Sequence, residues 1–140
     1  MPLIGGGGAG NPTGGSNPVG IGSGLNYVGE HAYAYSGLIT ADGNLTTLLD
    51  FTTGGQQYVE AWIQIFASTV QADDYEVNIL FDGQAIMSSE YEKSYSGNFV
   101  NGVPHKVIIP AQTRVQVTVQ NTQGSTQADW TATIAGRVYA

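Results

Sequence analysis

The segment Asp74-Tyr75-Glu76-Val77-Asn78-Ile79-Leu80-Phe81-Asp82 decides the fold class, because its side chains alternate between apolar and polar. The odd positions are aromatic or aliphatic, and the even positions are polar except for Leu80. A period of two residues is the pattern of a strand with one buried and one solvated face. Since Asp82-Gly83 is a turn signal, we predict a half-buried strand that ends in a tight turn.

The same alternation recurs towards the C-terminus. In residues 114–120 three valines share one side, and in residues 130–139 the side chains Trp130, Ala132, Ile134 and Val138 do so. The further strand candidates are residues 31–39, 46–51, 58–66, 85–89 and 106–109. Gly-containing or Asn-containing turn signals lie between these segments. About eight short strands without a convincing helical stripe predict an all-β chain, an antiparallel β-sandwich of jelly-roll or other Greek-key type.

An N-terminal arm of different composition precedes the strands. Residues 1–24 hold ten of the twenty glycines and three of the five prolines, but no charged side chain. Disordered segments usually stay soluble through charge, so this composition favours backbone that lies closely against another surface, where a Cβ would clash. The alternative is a flexible tail that binds nothing. We divide the chain into a Gly-rich arm, residues 1–25, and a β-sandwich domain, residues 26–140.

The chain is poor in charge, with 11% charged residues against roughly 25% in an average soluble domain. A surface with so few charges suggests that neighbouring subunits cover part of it. The net charge is −7, and the four cations, Lys93, Lys106, Arg114 and Arg137, are scattered. Direct nucleic-acid binding is therefore not expected, because phosphate neutralisation needs a grouped basic surface.

Enzymatic chemistry is not expected from the sequence. Cysteine is absent, and the two histidines, His31 and His105, belong to no recognisable catalytic motif. The carboxylates of residues 73–76 match no calcium-loop pattern, and we interpret them as a solvated acidic edge. We expect no cofactor and no metal. The start of the chain lacks an export signal, and no stretch approaches the length of a membrane span.

Two sets of residues are candidate contact sites in an assembly. The segment 58–66 carries apolar bulk on both faces, so Tyr58, Trp62 and Phe66 are predicted to face another subunit or the arm; the alternative is cover by the chain itself. In the arm, the predicted apolar anchors are Leu3, Ile4, Val19, Ile21 and Leu25.

The stretch 90–101, EYEKSYSGNFVN, has no periodicity and is predicted to be an exposed loop. Its aromatic residues Tyr91, Tyr95 and Phe99 are candidates for a ligand-binding or partner-binding site. They support an alternative function, carbohydrate recognition by a lectin-like or receptor-binding fibre-tip module. The other interpretation is that tyrosines simply populate strands and loop edges.

The second half of the chain also resembles a known class of proteins. The resemblance rests on three C-terminal segments, VIIPAQT at 107–113, VQVTV at 115–119 and AGRVY at 135–139. Two segments of the first half, HAYAYSG at 31–37 and LLDFTTG at 48–54, show a second resemblance. The three C-terminal segments resemble the small β-sandwich capsid-associated proteins of tailed phages and other DNA viruses, which serve as decoration or cement proteins. The two earlier segments are similar to segments of viral structural proteins of uncertain role. The resemblance covers about residues 25–140 and implies a homotrimer on the capsid surface that ties neighbouring major capsid subunits together.

We therefore expect a virion structural protein without enzymatic activity. Its partners would be the major capsid protein or neighbouring capsid subunits, and its location the surface of the capsid. Such proteins act through surfaces, so the resemblance assigns no single functional residue.

Overall fold

The computed structural model describes residues 22–55, 57–67, 73–92 and 104–139, and in this part of the chain every regular element is a β-strand. The ten strands are β1 (Gly22–Val28), β2 (His31–Tyr35), β3 (Ile39–Ala41), β4 (Thr46–Thr52), β5 (Tyr58–Ala67), β6 (Tyr75–Phe81), β7 (Gln84–Tyr91), β8 (His105–Ile109), β9 (Arg114–Asn121) and β10 (Ala128–Tyr139). The prediction of an all-β chain is confirmed.

The strands form two antiparallel sheets that pack face to face as a sandwich. The six-stranded sheet has the order β1-β2-β10-β5-β8, with β3 also paired to β10, and the four-stranded sheet has the order β4-β9-β6-β7. Apart from β1 and β3, the strands pair from the two ends of the chain inwards: β2 with β10, β4 with β9, β5 with β8, and β6 with β7, which form a hairpin. This is the arrangement of a long hairpin rolled into two layers, the jelly roll.

Two strands were not expected from the sequence. Residues 31–39 were predicted as one strand, but Gly37, with a φ of 71°, lies between β2 and β3. A positive φ does not continue an extended strand, and glycine adopts it without strain. Strand β1 begins at Gly22, within the predicted arm, because it pairs with β2 and buries Leu25 completely.

The core lies between the two sheets and is centred on aromatic packing. Trp130 of β10 is 0% exposed, and its ring lies 5.3 Å from those of both Tyr75 and Tyr91. Burial raises the pKa of both tyrosine hydroxyls. The alternating residues Val77 and Ile79 of β6 are buried beside Tyr75, as their period of two predicted. The predicted turn is also present, since Asp82 and Gly83 both have positive φ, as a two-residue hairpin turn requires.

The strands at the edges of both sheets carry irregularities. In β4 the extra residue Leu48 makes a bulge against β9, and in β7 Ile86 is the extra residue against β6. The register of β1 is shifted between Gly22 and Asn26. Strand β8 has no bulge but is flanked by Pro104 and Pro110. Bulges and prolines hinder the pairing of an edge with another strand.

Gly136 is a position where the fold requires the absence of a side chain. A Cβ there would lie 2.7 Å from the Glu60 carbonyl oxygen and 2.8 Å from a methyl carbon of Val59. We predict that Gly136→Ala lowers the free energy of unfolding by about 1–3 kcal/mol, the usual cost of overpacking. Urea denaturation measures it, with Gly55→Ala as the control, since the nearest atom to a Cβ at Gly55 is a flexible Gln112 side-chain nitrogen at 3.5 Å. Equal stability of the two variants would contradict the predicted clash.

Candidate contact surface on the six-stranded sheet

The solvent-facing sides of the two sheets have different chemistry. On the four-stranded sheet, the outward side chains of the central strands are mainly amides, hydroxyls and carboxylates. In this sheet Thr118 pairs with both Thr47 and Asn78, while Gln116 pairs with Asp50. Such a face is typical of a solvated side of a sandwich.

The polar face also carries a two-point ion pair. Arg114 donates from Nε to Asp50 Oδ1 at 2.9 Å and from Nη2 to Asp50 Oδ2 at 2.8 Å. The hydrogen bond from Arg114 lowers the pKa of the Asp50 carboxyl. A carboxyl with a lowered pKa in the folded state stabilises the fold above its ordinary pKa, and this contribution is lost as the pH falls through the folded pKa.

We predict that Asp50→Asn causes a small decrease in the thermal midpoint at pH 7, because the pair is partly solvated. The difference from the unmodified chain should shrink as the pH falls below about 4, where carboxyls bind protons. Calorimetry from pH 7 to pH 3 measures this. Glu30→Gln is the control, since the Glu30–Arg137 pair is more exposed. If the difference in thermal midpoint between the variant and the unmodified chain did not depend on pH, the ion pair would be excluded as its cause.

The solvent-facing side of the six-stranded sheet, which we name the outer face, is aromatic. Its large aromatic and aliphatic side chains include His31, Tyr33 and Tyr35 of β2, Tyr58 and Trp62 of β5, Ile108 of β8 and Tyr139 of β10. Trp62 is 53% exposed although it is the largest of them. Large aromatic side chains gathered on an open sheet face are unusual for a solvated surface and typical of a contact site.

The register of the strands places a hollow at the middle of the outer face. Tyr33, Ala135, Trp62 and Lys106 lie side by side on β2, β10, β5 and β8. The small Ala135 therefore separates two large aromatic residues. The resulting hollow has a volume of about 410 Å³ and is lined by Trp62, Gln64, Pro104, Thr133 and Ala135. Its lining is mainly apolar, and its polar side-chain groups are the Thr133 hydroxyl and the Gln64 amide.

The two cations of the outer face each pair with a carboxylate. Lys106 Nζ lies 2.7 Å from Glu60 Oε1, and Arg137 Nη2 lies 3.1 Å from Glu30 Oε2. The hydrogen bond to Glu60 raises the pKa of Lys106. Because each of these cations is paired with an anion, neither presents an uncompensated positive charge. The outer face therefore suits a partner surface without strong charge.

Aromatic contacts preorganise one end of the outer face. The rings of Tyr58 and Tyr139 are stacked, with centroids 5.3 Å apart and planes inclined by 17°. The Arg137 guanidinium lies over the Tyr139 ring, 5.6 Å from its centroid. Packing of this kind restricts the side-chain rotamers, which lowers the entropy cost of binding.

The predicted contact residues of β5 lie on one side of the sheet. Tyr58 and Trp62 are exposed on the outer face, and Phe66, further along the same strand, is half-buried. The arm candidate Leu25 is 0% exposed inside the sandwich. Leu25 is therefore a core residue, and its side chain is not available to anchor the arm on another surface. The other arm candidates, Leu3, Ile4, Val19 and Ile21, lie outside the described residues.

Strand β7 extends into the segment 90–101 that was predicted to be an exposed loop. Strand β7 continues to Tyr91, whose ring packs edge-on against Trp130 and whose hydroxyl donates to the Ile65 carbonyl at 3.5 Å. Since the Tyr91 ring packs against the core, it does not form an open stacking platform for a sugar. Tyr95 and Phe99 lie outside the described residues.

Sequence reasoning missed the contribution of β2, β8 and β10 to the outer face. The alternation in HAYAY places Ala32 and Ala34 in the core and the two tyrosines outside. This signal is present in the sequence, but it shows only that the two kinds of side chain point in opposite directions. Which kind is buried is seen only in the folded sheet, where Ala32 is buried and pairs with Gly136 of β10.

The carboxylates and histidines considered in the sequence analysis form no catalytic or metal-binding arrangement in the described residues, and two of the carboxylates accept hydrogen bonds within the fold. Asn121 Nδ2 donates to Asp73 Oδ2 at 2.8 Å, and the Gln123 side-chain amide donates to Asp74. His31 lies on the outer face, while His105 is half-buried opposite Ile63. Within the described residues, no three or more His, Cys, Asp or Glu side chains form a group that could hold a metal ion. The described part of the chain also contains no helix of the length and hydropathy needed to cross a membrane.

Comparisons with known proteins identify similar folds at low sequence identity. A scan against protein-family models and a search of curated proteins gave no match. Among solved structures, the chain is similar to the VP2 subviral particle of infectious bursal disease virus, with 13% identity, a TM-score of 0.42 and coverage of 82% of this chain and 34% of that one.

The Gt strain structure of the same virus gives 12% identity, a TM-score of 0.45 and coverage of 91% and 38%. An insecticidal delta-endotoxin of Bacillus thuringiensis gives 16% identity, a TM-score of 0.32 and coverage of 74% and 18%. The chain spans little more than a third of the length of these viral chains.

Proposed function

We propose that the chain is a virion structural protein, a decoration or cement protein that binds neighbouring capsid subunits through the outer face. The observation that supports this most is the contrast between the two sheets: one presents amides and hydroxyls to solvent, and the other presents Tyr33, Tyr35, Tyr58 and Trp62. A chain that had to remain alone in water would gain nothing from this asymmetry.

The composition of the outer face supports a protein partner. Interface hot spots are enriched in Tyr, Trp and Arg. On the outer face, Trp62 lies at the centre, and the ion pair of Glu30 with Arg137 lies beside the tyrosines. An apolar centre with paired charges around it is the usual anatomy of a specific interface.

The edges of the sandwich support contact through a face. Leu48 and Ile86 form bulges in β4 and β7, and prolines flank β8. Since these features oppose strand addition, backbone pairing with a neighbour is disfavoured. Side-chain packing on the outer face is then the favoured way to join subunits.

The arm contributes a second contact in this proposal, running along the surface of a neighbouring subunit. Its anchors would be Leu3, Ile4, Val19 and Ile21. Ordering costs about 1–2 kcal/mol per residue, so a few apolar anchors on one site hold an arm only weakly. A homotrimer that engages several lattice positions compensates for this through its high effective concentration at each site. In this mechanism the protein joins capsid subunits mechanically and performs no chemistry.

Purified particles of the virus that encodes the chain test the proposal. Mass spectrometry of gradient-purified particles should find the chain in a fixed molar ratio to the major capsid protein, and light scattering of the free chain should give a trimer. Added full-length chain should sediment with particles from which it has been stripped. Absence from purified particles, together with no cosedimentation, would overturn the proposed function.

A further inference from the structure

We propose that the outer face is complementary to itself, and that the neighbouring subunit which covers it is a second copy of this chain. The two copies would be related by a twofold axis that runs parallel to the strands, midway between β5 and β10. The inference rests on the proposed function, because it names the partner of the contact surface. A twofold contact uses the same surface on both copies. It is therefore separate from the threefold contacts within a homotrimer and would join one trimer to the next.

The register of the strands determines which residues would meet across this axis. A half-turn about it places β10 of one copy over β5 of the other, and β2 over β8. Each residue of β10 is then opposite the residue with which it pairs on β5 in its own chain. The distance would be about 10 Å between backbones, the usual spacing of stacked sheets. Aligned sheets cross at about −30°, so the correspondence is closest near the axis.

The charges of the face match across this axis. Arg137 pairs with Glu60 on the neighbouring strand, so that Arg137 would face Glu60 of the second copy, and Glu60 would face its Arg137. The Arg137 side chain is 55% exposed and that of Glu60 is 37% exposed, so both are accessible from outside the sheet. Two contacts between opposite charges would thus form in the same row. Complementary charges of this kind fix the register of a contact.

The shape of the face matches across the same axis. Trp62 pairs with Ala135, so the large indole of each copy would lie opposite the small Ala135 of the other. Ala135 lines the hollow of about 410 Å³, and pockets of about 300–1,000 Å³ accommodate small molecules, which leaves room for an indole ring. The two indoles would lie side by side across the axis. The contact therefore buries the most exposed large aromatic ring of β5 at its centre, the usual place of a hot spot.

The area of the outer face is sufficient for a stable contact. The path β1-β2-β10-β5-β8 contains five strands, which together are about 24 Å wide. Strand β5 has 10 residues and is about 33 Å long. Each copy can thus contribute up to about 800 Å², or about 1,600 Å² for the pair, which is the standard size of a specific protein interface.

Site-specific cross-linking of the free full-length chain tests the inference, because the chain contains no cysteine. Ala135→Cys introduces a thiol beside the proposed axis, where the backbones of the two copies would be about 11 Å apart. The short reagent bismaleimidoethane joins such a pair of thiols. The matched control is Ser88→Cys, an exposed position of β7 in the four-stranded sheet. Denaturing gels quantify the covalent dimers at increasing protein concentration.

A mixture of two variants tests the twofold arrangement. His31 and Ile108 lie in the same row, on β2 and β8 at opposite flanks of the axis. In the proposed contact, His31 of one copy is about 10 Å from Ile108 of the other, whereas each is about 17 Å from its own equivalent. Chains with His31→Cys are therefore mixed with chains that carry Ile108→Cys, and mass spectrometry identifies the linked peptides.

The expected result is that Ala135→Cys gives severalfold more covalent dimer than Ser88→Cys, and that the mixture gives severalfold more than either of its variants alone. Cross-linking at position 135 no greater than at position 88 would overturn the inference. A mixture that links no better than its separate components would also overturn it, because the contact would not be twofold. Cross-linking of the free chain involves no particle, whereas cosedimentation with particles tests the proposed function, so the two failures are distinguishable.

Discussion

Replacing Trp130 with alanine is expected to lower the free energy of unfolding by about 3–5 kcal/mol, the usual cost of deleting a large aromatic side chain from a core. Trp130 is 0% exposed and contacts the rings of Tyr75 and Tyr91. Since a domain of this size has a total stability of about 5–15 kcal/mol, the variant should lose a large fraction of it. Chemical denaturation measures the loss.

Two controls identify packing as the cause. Trp130→Phe should cost much less, because it keeps a ring in the core, and the indole nitrogen of Trp130 has no hydrogen-bond partner among the described residues. Trp62→Ala removes the same side chain from a position that is 53% exposed, so its effect on stability should be small. If both tryptophan-to-alanine variants lost equal stability, Trp130 would not be the centre of the core.

The double substitution Trp62→Ser with Tyr33→Ser is expected to abolish cosedimentation of the full-length chain with particles. Truncating an interface hot spot typically costs about 2 kcal/mol or more, which corresponds to about a 30-fold loss of affinity. Two such residues on either side of Ala135 should together weaken binding by at least two orders of magnitude, if their effects add. A particle-binding titration measures the change.

The control for this second prediction is Ile86→Ser, which removes an exposed apolar side chain from the four-stranded sheet. It should bind particles like the unmodified chain. Circular dichroism should show that all three proteins are folded, as both substituted residues of the outer face are exposed. Unchanged binding of the double variant, or equal loss in the Ile86 variant, would contradict the role of the outer face.

The sequence predicts the fold class well because the strands alternate between an apolar side chain that faces the core and a different kind of side chain that faces outwards. The alternation of β6 and β9 follows directly from a two-layer sandwich, and Asp82-Gly83 marks its hairpin. The strand order could not be predicted from the sequence, because β2 pairs with β10 across roughly one hundred residues. A local period contains no information on such pairing, so jelly roll and other Greek keys were equally compatible with it.

The contact surface was only partly predictable for the same reason. Tyr58 and Trp62 were visible as excess apolar bulk on a single strand. Tyr33, Ile108 and Tyr139 join them through pairing between distant strands, which brings β2, β10, β5 and β8 side by side. Leu25 was placed in the arm because glycines surround it, whereas pairing of β1 with β2 draws it into the core.

An electron cryomicroscopy reconstruction of particles carrying the chain tests the central claim most directly. The account predicts that the outer face, with Tyr33, Trp62 and Tyr58, is buried against a neighbouring capsid subunit, while the polar side of the four-stranded sheet faces solvent. A reconstruction in which the outer face points to solvent, and the four-stranded sheet makes the contact, would contradict it.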